Sequence, residues 1–300
     1  SKMFILQYSY LKQTPIVLMH GSYDNSKSME NIKKWIEQSI PSVYVKNCEV
    51  GNGYNDSIHM PINDQIQELA NCIKNDKNLA DGFYGLGYSL GGYLMRGYLE
   101  KINKPQMKRM ITFAAPLGGK YCGIHSECYG EVLGSYSPDI IYSGAMQTHF
   151  SRAAYWRDPY NFNLFKEKSA SLSFLDNIHN FNQTYKSNFE SLELLVLYGS
   201  PVDKTIVPWE STWFGAYEYN DEKVVEMVDR VEYKQNLFGL RTLNEHNKVV
   251  CIDSKLQHGE YKNAEKLVKQ SVVQYLQDNI AECLSFNETW LQSLYFIFNF

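Results

Sequence analysis

The side chains in this 300-residue chain best placed by type and spacing to do chemistry are Ser89, Asp203 and His258. Ser89 is the centre of Gly87-Tyr88-Ser89-Leu90-Gly91, a G-x-S-x-G pentapeptide. A serine hydroxyl is a weak nucleophile until a base takes its proton, and an imidazole does so reliably only when an acid orients it. The pentapeptide sets the serine on a sharp strand-to-helix turn, where a side chain at Gly87 or Gly91 would meet the neighbouring strand or helix. Such a turn holds its serine in a strained backbone state that only a packed surround can maintain. Ordinary glycine-rich turns share the pattern, so its weight depends on partners elsewhere in the chain.

The elements around the serine support that reading. Phe83-Tyr84-Gly85-Leu86 is a short apolar run after Asp81-Gly82 and reads as a buried strand. Leu90, Tyr93, Leu94 and Tyr98 recur at helical spacing after it. Upstream, Thr14 to Met19 is an apolar run ending in His20-Gly21, the signature of a central strand buried on both faces. Ser28 to Ile40 reads as a helix stopped by Pro41, with Ile32, Trp35 and Ile36 on one face. Val43 to Val45 opens a strand, Gly51 to Asn55 reads as a loop, and Pro61 to Lys74 as a helix. Met107 to Ala114, Leu192 to Tyr198 and Lys248 to Asp253 read as further strands, and Asn263 to Asn279 as a closing amphipathic helix.

Strands alternating with helices through short turns predict an α/β-hydrolase fold: a mostly parallel central sheet, helices on both faces and an inserted cap. Residues 1–300 read as one domain, with the cap at 117–191. That insertion lacks a sustained period and is too long for a plain loop, so it must carry structure of its own. Phe150 to Phe165 and Ser171 to Ile178 read as short helices within it.

In this fold the nucleophile, acid and base follow in that order, each after the carboxyl end of a strand. Asp203 is the first acid after the strand ending at Tyr198; Glu210 is the fallback and reads as a helix-surface charge. His258 follows the last strand, whereas His246 precedes it. His20 reads as a structural hydrogen-bonder beneath the loop after the first strand, and His59, His125, His149 and His179 lack a motif context. The developing oxyanion needs backbone N–H donors, which the pattern assigns to Leu90 and Ser22. This chemistry calls for no metal and no cofactor.

Composition narrows the alternatives. The formal net charge is −4 with no basic block, which disfavours nucleic acid as a partner. No apolar run approaches the roughly 20 residues of a membrane span. The first thirteen residues, SKMFILQYSYLKQ, are too short and polar for a signal peptide, so the reading is a cytosolic chain or one that starts after a removed signal. Of the six cysteines, Cys122 and Cys128 lie close enough in a Gly-rich loop to bridge, ahead of free thiols and of a metal site using His125. Sequons at Asn55, Asn182 and Asn287 are no more than chance supplies and say little about location.

Several segments resemble one family, the palmitoyl-protein thioesterases, nearer its type 2 lysosomal branch than type 1. They are Pro15 to Asp24 (PIVLMHGSYD), Tyr88 to Arg96 (YSLGGYLMR), Tyr155 to Leu164 (YWRDPYNFNL), Ile206 to Tyr217 (IVPWESTWFGAY) and Phe238 to Leu243 (FGLRTL). The likeness spans roughly Pro15 to Ile280 and is most specific in the proline-tryptophan run before Trp213-Phe214-Gly215. It implies a lysosomal or secreted glycoprotein that hydrolyses acyl thioesters, and it carries nucleophile, acid and base onto Ser89, Asp203 and His258. The family usually has glutamine where Leu90 stands and an apolar residue where Ser22 stands; both changes leave the backbone donors in place. The type 2 resemblance points to acyl-CoA-like thioesters more than to bulky acylated proteins.

On this reading the acyl tail lies under the cap, against Tyr155, Trp156, Phe162, Phe165, Phe174, Leu175 and Trp209, aromatics that equally suit gluing cap to sheet. A lipase or carboxylesterase acting on oxyester lipids would use the same three residues. A lipid-binding protein on a hydrolase scaffold is the non-catalytic alternative. The tail 283–300 carries a helical apolar face, Trp290, Leu291, Leu294, Tyr295 and Phe298. It suits packing on the body or a second subunit better than a transient membrane-surface contact, since it lacks a basic polar face.

Overall fold

The strand sequences already dictate a sheet covered on both sides. In β1, Ile16–Met19, all four side chains are fully buried, and they alternate between two apolar cores. Val17 and Met19 join one core while Ile16 and Leu18 join the other. Successive side chains of a strand point to opposite faces, so only a sheet sandwiched between helices buries such a run completely. Removing each of these side chains from water stabilises the fold by roughly 1.5–3 kcal/mol.

The computed structural model describes residues 13–124, 128 and 130–278. From β1 the chain runs through α1, Glu30–Ser39, to β2, Val45–Cys48, then α2, Tyr54–His59, and α3, Ile62–Lys74. Next come β3, Phe83–Tyr88, α4, Leu90–Lys101, and β4, Met107–Phe113. Five short helices follow: α5, Pro138–Ile141; α6, Gly144–His149; α7, Phe162–Lys168; α8, Leu172–Leu175; and α9, Gln183–Glu190. Then come β5, Leu194–Gly199, a hairpin of β6, Ala216–Tyr217, and β7, Val224–Val225, then α10, Val231–Lys234, α11, Leu240–Glu245, and β8, Val249–Asp253. A closing helical stretch runs from Glu265 to Leu276 and opens into a π turn at Val268–Val272.

Among the described residues the main sheet has the order β2-β1-β3-β4-β5-β8, every pair parallel. From β1 the chain steps to β2 on one side and returns to β3 on the other, so the order reverses between β1 and β3. Open α/β sheets bind ligands at the carboxyl ends of the strands flanking such a reversal. Met19 of β1 pairs with Gly87 of β3, which sets Gly21-Ser22 and Tyr88-Ser89 side by side at that edge. The strand order and the turn after β3 are those of an α/β-hydrolase.

Three sequence expectations need correction. Gly51 to Asn55 is not all loop: α2 begins at Tyr54, and Gln65 Nε2 donates to the carbonyls of Asp56, Ser57 and Met60 at its end. Phe150 to Phe165 is not one helix. A 3-10 turn at Ser151–Tyr155 and α7 are separated by Asp158, whose Oδ1 accepts the N–H groups of Tyr160 and Asn161 at 2.9 and 3.2 Å. Such a local side-chain turn competes with helix, and Pro159 adds to the break. Ser171 to Ile178 contains helix only at Leu172–Leu175. Cys122 and Cys128 are disulfide-bonded, so both thiolates that a metal would need are consumed; a second bridge joins Cys48 to Cys72. His125, Cys283, Asn287 and the tail 283–300 lie outside the described residues.

Candidate active site

Ser89 caps the end of β3 with φ 53° and ψ −122°, a left-handed backbone that a non-glycine residue rarely adopts. Three features hold it there. Its N–H donates to the carbonyl of Phe113 at 2.7 Å, extending the β3–β4 ladder through the turn. Gly87 and Gly91 let the turn close, since a Cβ on Gly87 would strike the first turn of α4 and one on Gly91 would strike the β1 backbone. The neighbouring Leu90 is fully buried.

His258 stands five residues beyond β8, in a 3-10 turn closed by a capping box between Gln257 and Glu260. Its Nε2 lies 2.9 Å from Ser89 Oγ and its Nδ1 lies 2.8 Å from Asp203 Oδ2. A carboxylate only accepts, so Nδ1 carries the hydrogen and the Nε2 lone pair faces the serine hydroxyl. Asp203 is 2% exposed and held from its other oxygen, which accepts the N–H groups of Thr205 at 2.7 Å and Ile206 at 3.1 Å. Those amides fix the plane of the carboxylate. The arrangement can take a proton from Ser89, hold the resulting imidazolium, and return the proton to a leaving group. Glu210, the fallback acid, lies in the 3-10 turn Trp209–Trp213.

Leu90 is the first residue of α4, where a helix has no upstream carbonyl for its amide and presents its positive end. The loop after β1 lies against the same turn: a Cβ on Gly21 would sit 3.1 Å from Ser89 Cβ. Ser22 follows directly, with its Oγ buried and unpartnered. Beneath this loop His20 is fully buried, 2.8 Å from the carbonyl of Gly21 through Nδ1 and accepting the Val50 N–H at Nε2. Burial lowers its pKa from the ordinary value, so it stays neutral and ties the loop end to the chain after β2. His59, His149 and His246 are exposed and make at most backbone contacts, and half-buried His179 bonds the carbonyl of Lys166 and stacks on Phe174.

Two contacts escaped the sequence reading. Tyr88 Oη donates to the carbonyl of His258 at 2.9 Å, and the two rings pack at 5.3 Å, so the residue before the nucleophile braces the base. The second is a buried ion cluster. Asp176 accepts from Arg96 at 2.9 Å and from Arg157 and Arg230 at 2.8 Å each, while Glu100 and Glu232 complete the set. The signal that could have revealed it is α4 itself. Tyr93, Leu94, Met95, Tyr98 and Leu99 surround this helix with apolar residues, so it is buried all round and Arg96 and Glu100 must be buried too.

The seven residues expected along the acyl tail are spread more widely than the three polar ones. Trp209 lines a cavity of about 370 Å³ together with Asp203, Pro208 and Tyr217. Tyr155 packs on Tyr93 at 5.1 Å, Trp156 on Tyr121 at 5.5 Å, and Phe165 and Leu175 are fully buried. Phe174 stacks against His179 at 4.2 Å. Phe162 opens onto a separate cleft of about 930 Å³, lined by Arg157, Tyr219, Arg230 and Glu232 and by none of Ser89, Asp203 or His258.

Fold and site together define a serine hydrolase of the α/β-hydrolase class. The sequence profile of the family described as palmitoyl protein thioesterase matches residues 15–258, and the chain belongs to that family. It is 37% identical over 251 residues to palmitoyl-protein thioesterase 3 of Dictyostelium discoideum, covering 82% of this chain and 86% of that protein. It is 32% identical over 264 residues to palmitoyl-protein thioesterase 1 of Caenorhabditis elegans, covering 82% and 87%. Against the human lysosomal thioesterase PPT2 it is 27% identical over 268 residues, covering 87% of each. Among solved structures, an extracellular α/β-hydrolase from a Paenibacillus species is similar at 17% identity and a TM-score of 0.48, covering 89% of this chain and all of that one. The fold assignment stands on strand order and family rather than on so distant a likeness.

Proposed function

We propose that the protein hydrolyses long-chain acyl thioesters, of palmitoyl-CoA type or on other thiols, through an acyl-serine at Ser89. His258, steadied by Asp203, takes the Ser89 proton as Oγ attacks the thioester carbonyl. The N–H groups of Leu90 and Ser22 hold the oxyanion, the thiol leaves with the proton from His258, and water activated by the same imidazole then cleaves the acyl-serine. The observation that carries this reading is the unbroken line from Asp203 Oδ2 through His258 to Ser89 Oγ, at 2.8 and 2.9 Å.

Residues 117–191 act as a cap over the site. The acyl chain lies along its aromatic side, entering past Trp209, which shares a cavity with Asp203. The enzyme works in the lysosome. The names of its animal relatives support that location, as do two disulfides, which favour an oxidising compartment. Among the described residues no helix is long and apolar enough to cross a membrane.

Turnover of palmitoyl-CoA, a matched palmitoyl oxyester and a triglyceride by the purified protein tests the substrate class. The thioester is expected to have the highest kcat/KM. Turnover of the oxyesters alone would reassign the enzyme as a lipase or carboxylesterase.

A further inference from the structure

The residue after Ser22 is strained and tied to the insertion. Tyr23 has φ 58°, a left-handed conformation unusual for an aromatic residue, although its side chain is 42% exposed. Two bonds hold it. Its N–H donates to Ser57 Oγ at 3.0 Å, and its phenol oxygen accepts from Arg152 Nη2 at 2.5 Å. The same guanidinium lies 4.8 Å from the centre of the Tyr23 ring and 4.7 Å from that of Phe150.

Arg152 is an expensive anchor, 7% exposed and with its Nε buried without a hydrogen-bond partner. Its Nη1 donates to Glu131 Oε2 at 3.1 Å, an oxygen it shares with Lys120 Nζ at 2.8 Å. Glu131 Oε1 takes the N–H groups of Val132 and Leu133, which fixes the carboxylate. Two buried cations therefore share one carboxylate, an arrangement less favourable than a matched pair. What Arg152 gains beyond that carboxylate is its grip on Tyr23.

We infer that Arg152 is a positioning residue for the oxyanion site, fixing Tyr23 and, one peptide away, the direction of the Ser22 N–H. The inference rests on the reading in which Ser89 is the nucleophile and Ser22 a donor. It couples the insertion to the chemistry, because Arg152 and Glu131 belong to 117–191 while Ser22 belongs to the sheet edge. Preorganised donors act only when aimed at the oxygen's transition-state position, so a loosened Ser22 should slow the chemical step and leave ground-state binding nearly unchanged.

The test compares Tyr23→Phe, Arg152→Gln, Arg152→Lys and the Tyr23→Phe/Arg152→Gln double variant with the wild-type chain. It reads kcat and KM on octanoyl-CoA, the rate of fluorophosphonate labelling of Ser89, and Tm. Tyr23→Phe keeps the ring and deletes only the hydroxyl, so it stays informative even if the arginine variants fold poorly. Tyr23→Phe and Arg152→Gln should each lower kcat about tenfold, a fraction of what a whole oxyanion donor is worth, with KM within about threefold. Labelling should slow in parallel, Arg152→Lys should recover part of the rate, and the double variant should lose little more than either single. If Tyr23→Phe and the folded arginine variants keep wild-type kcat and differ only in Tm, Arg152 merely fastens the insertion and the inference fails. Absence of labelling at Ser89 in the wild type would overturn the underlying reading and this inference with it.

Discussion

Two polar assemblies meet α4, one at its N-terminal end at Ser89 and one at Arg96 and Glu100 along it, and they are finished differently. At the serine edge, Asp203 is saturated by two amides and an imidazole, but the line ends in Ser89 Oγ, and the His258 side chain is 14% exposed. Asp176 itself has no open end: its carboxylate is fully buried and three arginines fill both oxygens. Arg96 also donates to the carbonyl of Leu117, and Arg230 to that of Phe214, so the cluster binds α4 to the start of the insertion and to the segment before β6. The difference teaches that a polar chain with one unspent end is built to react, whereas a closed one is built to hold.

Substitutions on each side should separate the two roles. The largest effect is expected from Asp203→Asn. Its amide can donate to His258 Nδ1, which turns the Nε2 lone pair into an N–H facing Ser89. A fall in kcat of about 10,000-fold with little loss of Tm is expected, because the wrong tautomer disables the base without disturbing packing. Retained turnover would show that Asp203 does not orient the base.

Asp176→Asn should do the reverse. Removing one charge from a closed cluster leaves arginines buried without compensation, at a cost of about 3–5 kcal/mol in unfolding free energy by urea titration. Activity per folded molecule should fall far less than for Asp203→Asn. A cost under about 1 kcal/mol would mean that the cluster is not what holds the insertion.

The smallest effect should come from Glu100→Gln in the same cluster. Burial pushes the Glu100 carboxyl up to about 8, against the opposing pull of Arg96, and its Oε2 is buried without a partner. A carboxyl whose folded value exceeds its unfolded value of about 4.3 binds more protons when folded, so its contribution to stability declines as pH rises through that window. Glutamine mimics the protonated form and does not titrate. At pH 5 the variant should therefore lie within about 1 kcal/mol of wild type. The Tm difference should then shift in the variant's favour between pH 5 and pH 8. A difference independent of pH would show that Glu100 is ionised throughout.

The same contrast explains what could be read from the sequence. β1, β3 and β5 are buried on both faces, so each appears as an unbroken apolar run with sharp ends. Asp203 and His258 follow from chain order and strand ends alone, because the fold puts carboxyl ends at one edge. The disulfide partner of Cys72 did not follow, since spacing cannot show that Cys48 ends β2 beside α3. Residues 117–191 resisted reading for a physical reason: they are tied to the rest of the chain by ion pairs between residues far apart, such as Arg96 with Asp176 and Arg157 with Glu232, which leave no local period. The hairpin that follows β5 was missed as well, because β6 and β7 are two residues each, too short for alternation to show. The Arg152 contact with Tyr23 joins positions 129 apart and was equally invisible.

The most direct test of the central claim is to mix the protein with excess palmitoyl-CoA, quench in acid within milliseconds, and map the covalent product by mass spectrometry. A palmitoyl group on the Gly87-Tyr88-Ser89 peptide, accumulating in His258→Ala supplied with imidazole and absent in Ser89→Ala, is the predicted result. Steady turnover by Ser89→Ala, or an adduct on any other side chain, would contradict the account.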